Sequence, residues 1–295
     1  MKAAPFSYSR PADVDEACAL LAADDNARLI AGGQSLVPMM AMRLARPTHL
    51  IDINRIAALS YVREDKAAVA IGACTRQCAL ERDSVVTKRL PLLARAIPFI
   101  GHAATRARGT IGGSLVHADP AAELALVAVT LDAAMSYRAG DADGELAARD
   151  FFAGLMVTNL PAGACLTTVT FPLWHDEKIG VGFHEVNARR SDFAFVAAAA
   201  QIALDGDGNC ERIVVGVGAA TDSPLRLEAA EKELTGSQLE QKKVTEAVHA
   251  ALTDIEPLAD LHASADYRRR AAATLAARAI ADAKAYALGS KPRAH

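Results

Sequence analysis

Two short segments in the first half of the chain, Ala31-Gly-Gly-Gln-Ser-Leu36 and Thr110-Ile-Gly-Gly-Ser-Leu115, echo one another. Each pairs glycines with a hydroxyl residue where a strand or loop hands over to a helical pattern. Paired glycines admit positive φ and let backbone N–H groups approach a ligand closely. Successive N–H groups at a helix entrance form a nest for phosphate oxygens, and Ser35, Thr110 and Ser114 add hydroxyl donors. Taken singly, each reads first as a tight turn; two such loops in matching contexts suit a pyrophosphate held from both sides as well as they suit two turns. The usual nucleotide fingerprints are missing. Gly216-Val-Gly218 runs on into Ala219-Ala220-Thr221, and no Gly-Lys-Ser/Thr loop occurs, which disfavours a Rossmann dehydrogenase or a P-loop ATPase.

Around these loops the pattern mixes helix and strand. Helices are predicted over Asp13–Ala23, Val37–Leu44, Leu90–Ile100 (interrupted by Pro98) and Ala121–Thr130, and strands over Arg28–Ala31, His49–Ile53, Ala67–Gly72, Ala134–Tyr137 and Cys165–Phe171. After Pro172 come three strand-like runs, Gly180–Asn187, Ala194–Leu204 and Arg212–Ala219, with a hairpin signal at Asp205-Gly-Asp-Gly-Asn209. Helical patterns then cover Leu225–Leu234, Gln238–Leu252 and Ala263–Leu288. A boundary near residue 175 separates two units, as 295 residues lead one to expect.

The chain is 52% apolar, yet its longest apolar stretches, Leu124–Val129 and Phe193–Ala200, are far too short to span a bilayer. A net charge of −3 argues against a nucleic-acid partner. The run Tyr267-Arg-Arg-Arg270 reads as a solvated or interfacial helix face, open to a partner contact. Five scattered cysteines, at 18, 74, 78, 165 and 210, make neither a disulfide framework nor a cluster-binding set and suit a reducing cytoplasm. Met1-Lys2-Ala3-Ala4-Pro5 lacks the apolar core of a secretory leader.

The loops carry a resemblance. Ala31-Gly-Gly-Gln-Ser-Leu-Val-Pro38, Leu50-Ile-Asp-Ile-Asn54, Ile71-Gly-Ala-Cys-Thr75 and Thr110-Ile-Gly-Gly-Ser-Leu-Val-His-Ala-Asp-Pro-Ala-Ala-Glu123 resemble the FAD-binding medium subunit of molybdenum hydroxylases, the carbon monoxide dehydrogenase and xanthine dehydrogenase family. Gly182-Phe-His-Glu-Val-Asn-Ala-Arg-Arg-Ser-Asp-Phe-Ala194 is similar to that family's segment facing the flavin ring, and the likeness runs through the whole chain. It implies an α+β fold: a PCMH/VAO-type two-subdomain FAD-binding domain over residues 1–175 (subdomains about 1–57 and 58–175), followed over 176–295 by a three-stranded antiparallel sheet packed with a helical bundle.

The resemblance also implies the site. Leu29, Ile30, Ala31, Gly32, Gly33, Gln34, Ser35 and Leu36 would wrap the FAD pyrophosphate, with Gly109, Thr110, Gly112, Gly113 and Ser114 as the second wall. Val116, His117 and Glu123 would lie along the ribityl chain and adenosine side, and Ile100, Gly101, His102 and Thr105 would line the cofactor channel. Leu160 would pack on the ring system, with His184 and Asp192 near the isoalloxazine. FAD would be bound non-covalently, with no acid or base residue assigned. Implied partners are a small subunit with [2Fe–2S] clusters and a large molybdopterin subunit, in a heterotrimer or a dimer of heterotrimers. The role is electron transfer to an external acceptor. The alternatives are a self-sufficient flavin oxidoreductase of the PCMH/VAO class, and a binding protein whose Gly-Gly loops are only turns.

Overall fold

The computed structural model describes residues 2–290; Met1, the first residue of the leader reading, and residues 291–295, the end of the expected C-terminal unit, lie outside them. The chain opens with β1 (Ser7–Ser9), α1 (Val14–Ala22), β2 (Arg28–Ile30), α2 (Leu36–Ala41) and β3 (His49–Asp52). The three strands are parallel in the order β1-β3-β2, and parallel neighbours need crossovers, which α1 and α2 supply. Asp13 starts α1 by accepting from Glu16 N at 2.9 Å, while the Glu16 carboxylate accepts from Ala12 N at 2.6 Å. Beneath α1 a small core joins Cys18 to Ile51, Ile53, Cys74 and Cys165. Burial pushes the Cys18 thiol up, and takes Cys74 to about 11 and Cys165 to about 12.

Next come β4 (Val62–Glu64) and β5 (Ala68–Gly72), then six helices: α3 (Gln77–Leu80), α4 (Ser84–Arg89), α5 (Pro91–Ala96), α6 (Ala103–Arg108), α7 (Ile111–His117) and α8 (Glu123–Thr130). They are followed by β6 (Ala134–Ala139), β7 (Ala142–Ala147), α9 (Ala148–Phe151), the hairpin β8 (Phe152–Gly154) and β9 (Val157–Thr158), and β10 (Ala164–Pro172). Strand β10 returns to the middle of an antiparallel sheet of order β4-β5-β10-β6-β7. Helix α8 is buried at every position from Leu124 to Thr130, as a helix enclosed on all sides must be.

The C-terminal sheet holds β11 (Lys178–Val186), β12 (Val196–Leu204) and β13 (Cys210–Gly218), and a fourth strand β14 (Leu225–Arg226) where three were expected. Leu225 and Arg226 read as the start of a helix but pair with Val217 and Gly216; two residues are too few to show a period, and the free edge of β13 captures them. Helices α10 (Glu228–Leu234), α11 (Gln241–Ala251) and α12 (Ala265–Ala287) cover one face of this sheet.

All nine residues of β12 are buried. Ala197, Ala199 and Ala203 join the core containing α5 and α8, whereas Ala198, Ala200 and Ile202 join the core under α12. Helix α12 lies directly on β11: a Cβ at Gly180 would stand 1.9 Å from the Ala283 carbonyl oxygen, and one at Gly182 2.0 Å from that of Ala279. Arg268 corrects the solvated reading of the arginine run, being 4% exposed. Its guanidinium donates to the carbonyls of Phe195 and Ala219 and to Asp260, so a charge that would be costly if unpaired ties three loops to α12.

Gly182→Ala should therefore destabilise the chain by about 3 kcal/mol or more, since the obstruction is backbone. Gly206→Ala, where nothing lies within 4 Å, should change stability by less than about 0.5 kcal/mol. Urea unfolding of both variants checks the contrast.

Candidate functional site

The two glycine loops meet. A Cβ at Gly32 would stand 2.4 Å from the Arg108 carbonyl oxygen and 2.9 Å from Gly109 Cα, so the first loop rests on the backbone just before the second. Gly33 takes φ +71°, turning the chain from β2 into α2. The turn leaves the N–H groups of Gly32, Gly33, Gln34, Ser35 and Leu36 without an acceptor among the described residues. Five neighbouring donors at a helix entrance are an anion-binding array.

The second loop is built differently. Gly112 and Gly113 lie inside the first turn of α7 rather than in a turn ahead of it. Ile111 N donates to Thr75 O at 3.1 Å, Gly112 N to Ala73 O at 2.8 Å, Gly113 N to Thr110 Oγ1 at 3.1 Å and Ser114 N to Thr110 O at 3.2 Å. These N–H groups are all engaged, so this segment supplies a close wall. A Cβ at Gly112 would stand 2.5 Å from that of Ala73, which is why only glycine lets α7 sit there.

Sequence reasoning missed the residues that fix the first loop. Asn54 Nδ2 donates to Ala31 O at 2.7 Å, and Asn54 Oδ1 accepts from Arg76 Nη2 at 2.6 Å. Arg76 also donates to the carbonyl of Arg108, so one Asn–Arg pair braces both loops. Gln77 is buried beside Gly109, with its Oε1 unpartnered among the described residues. Asn54 stands in a quoted motif, but nothing local to Arg76 or Gln77 signals these contacts.

The other expected residues divide. Leu29 and Ile30 lie half-buried on β2, Ile100 is buried, and Gly101 takes φ +45° against Thr105. His102 is exposed at the start of α6, Val116 is exposed on α7 and His117 is half-buried at that helix's end. Leu160 is half-buried against the large core, and Asp192 is exposed, its carbonyl accepting from Asn187. His184 is not gathered with them: it shares the face of β11 with Gly180 and Gly182, and its Nε2 lies 3.0 Å from Asp282 on α12.

Glu185 takes the opposite face. Burial and the nearby charge of Glu123 push its carboxyl up to about 8. Glu123, in the first turn of α8, is raised to about 7 by burial, with Asp119 adding to it and Arg106 opposing. Two carboxyls that resist ionisation thus stand near enough for the charge of Glu123 to act on Glu185.

Residues 4–174 match the family described as the FAD binding domain in molybdopterin dehydrogenase, and residues 182–283 the carbon monoxide dehydrogenase flavoprotein C-terminal domain. The chain is 36% identical to the 6-hydroxypseudooxynicotine dehydrogenase complex subunit alpha of Paenarthrobacter nicotinovorans, over 96% of each chain. It is 33% identical to the carbon monoxide dehydrogenase medium chain of Afipia carboxidovorans, over 96% of this chain and 98% of that one. A chain of the quinoline 2-oxidoreductase crystal structure from Pseudomonas putida 86 superposes with a TM-score of 0.93 at 33% identity, over 98% of this chain and all of that one.

Both half-buried carboxyls lie above their ordinary 4.5, so the folded chain keeps protons that the unfolded chain releases. Their neutral forms are fully retained below about 4.5, and stability is lost as pH rises through about 7 and about 8. Without cofactor, the melting temperature should fall over this range. Glu123→Gln and Glu185→Gln should each flatten the fall, as calorimetry across pH will show.

Proposed function

The chain belongs to the family of FAD-binding medium subunits of molybdenum hydroxylases, and from that premise we propose that it is the electron-transfer subunit of such an oxidoreductase. It takes electrons from [2Fe–2S] clusters in a small partner subunit, downstream of a large molybdopterin subunit, and passes them to an external acceptor. The complex is a heterotrimer or a dimer of heterotrimers, located in the cytoplasm. Residues 1–175 are the FAD-binding domain and 176–295 the carbon monoxide dehydrogenase flavoprotein-like C-terminal domain. No described helix is long and apolar enough to cross a membrane.

The observation that carries this reading is the run of five acceptor-free N–H groups from Gly32 to Leu36, set against the wall of the second loop. The residues present fit FAD. A pyrophosphate needs several converging donors and close backbone approach, and the first loop offers both with no acidic side chain of its own. Gly32, Gly33, Gln34, Ser35 and Leu36 hold the pyrophosphate, with Thr110, Gly112, Gly113 and Ser114 closing the other side. Ile100, Gly101 and Thr105 shape the channel, and Glu123 offers hydrogen bonds to hydroxyl groups. Bound FAD supplies a store that accepts electrons singly and releases them in pairs. The chain's own work is to bind, orient and shield that store.

Gly33→Val and Gly113→Val should abolish FAD retention while the circular dichroism stays native. The positive φ at Gly33 costs a branched residue roughly 1–2 kcal/mol, too little to unfold a domain of ordinary stability. Retention of full flavin occupancy by either variant would remove the cradle from the site. Purification from the native source should bring down a small cysteine-rich chain and a large molybdopterin chain; a lone active flavoprotein would contradict the assignment.

A further inference from the structure

The face-to-face alternation of β11 decides which side chain the C-terminal sheet sends toward the loops. Gly180, Gly182 and His184 lie against α12. Val181 and Phe183 face the other way, into the core that holds α5 and α8, with the Phe183 ring centroid 4.9 Å from that of Phe99. Glu185 follows on this second face. Phe99 immediately precedes Ile100 and Gly101, and Arg106, which donates to both their carbonyls at 3.0 Å, also bears on Glu123. The Glu185 carboxyl is thereby delivered to the channel side of the sheet.

Its two oxygens are treated unequally. Oε1 accepts from Asn187 Nδ2 at 2.8 Å, whereas Oε2 is buried with no partner among the described residues. A carboxyl taken from water with one oxygen orphaned is costly, and such an orphan calls for a ligand atom to complete it. With Oε1 committed as an acceptor, the neutral acid carries its proton on Oε2, which becomes a donor.

We propose that Glu185 is a further cofactor-binding residue, contributed by the C-terminal sheet, whose Oε2–H donates a hydrogen bond to an oxygen of FAD. The inference rests on the FAD reading above and adds to it a residue from the other side of the seam. Burial and Glu123 keep the acid neutral. Glu123 bears on it from α8, where Asp119 adds to the rise at Glu123 and Arg106 opposes it; β12 sets Ala197 opposite it, and α5 carries Arg95 as its charged residue. Asp282 of α12 engages His184 across the strand. Ionisation above about pH 8 removes the donor and adds a charge beside Glu123.

The test is titration of the full-length apo chain with FAD, followed by flavin fluorescence from about pH 6 to about pH 9. Glu185→Ala should raise Kd roughly tenfold near neutral pH. Glu185→Gln, whose amide keeps a donor, should stay within roughly threefold. The wild-type Kd should climb as pH passes about 8, and Glu185→Gln should lack that climb. Wild-type affinity in Glu185→Ala overturns the proposal, and so does a Gln variant as weak as the Ala variant or with the wild-type pH climb. A wild-type chain that binds no FAD instead sinks the reading of the function, so the two failures are separable.

Discussion

The missing side chains of Gly180 and Gly182 set the architecture of the C-terminal half. They let the backbone of α12 occupy the space where their Cβ atoms would stand, against the carbonyls of Ala283 and Ala279. A helix seated that deeply fills one face of the sheet with Ala272, Ala276, Ala279 and Ala283 and leaves the other face to close on α5 and α8. Strand β12 then has no solvent side, which accounts for its alanine-rich composition: the layers above and below approach too closely for larger residues at most positions. The same packing fixes the parity of β11, and with it the choice of Glu185 rather than His184 as the side chain presented to the first half of the chain.

The loops obey a comparable rule of contact between backbones. Gly32 rests on the Arg108 and Gly109 backbone, and Gly112 on Ala73, so three short segments from distant parts of the sequence are drawn together without intervening side chains. Within this cluster the roles separate. One loop keeps its N–H groups free, and the other spends them on its own framework. Asn54 and Arg76 make the arrangement rigid by bonding to carbonyls on both sides. Donors fixed in advance lose less entropy when a ligand arrives.

Much of this was legible in the sequence. The paired glycines marked both loops, and the three long strands after Pro172 stood out by composition and by the Asp205–Asn209 turn, which the structure makes with Asp205 Oδ1 accepting from Asp207 N and Asn209 N. What could not be read depended on partners far away in the chain. Arg268 looks like its exposed neighbours until Phe195, Ala219 and Asp260 are brought to it. The bracing role of Arg76 exists only because Asn54 and Arg108 converge on it, and β14 is too short to have a period. His184 and Glu185 are adjacent letters, and only the packing of α12 tells which of them turns inward.

The cysteines have one more consequence. Cys18, Cys74, Cys165 and Cys210 are buried and free, and burial raises each thiol's pKa, to about 11 for Cys74 and Cys210 and about 12 for Cys165. Peroxide and disulfide exchange attack the thiolate, and these four positions hold almost none of it at neutral pH. Packing chosen for the cores thus also makes these four thiols chemically inert.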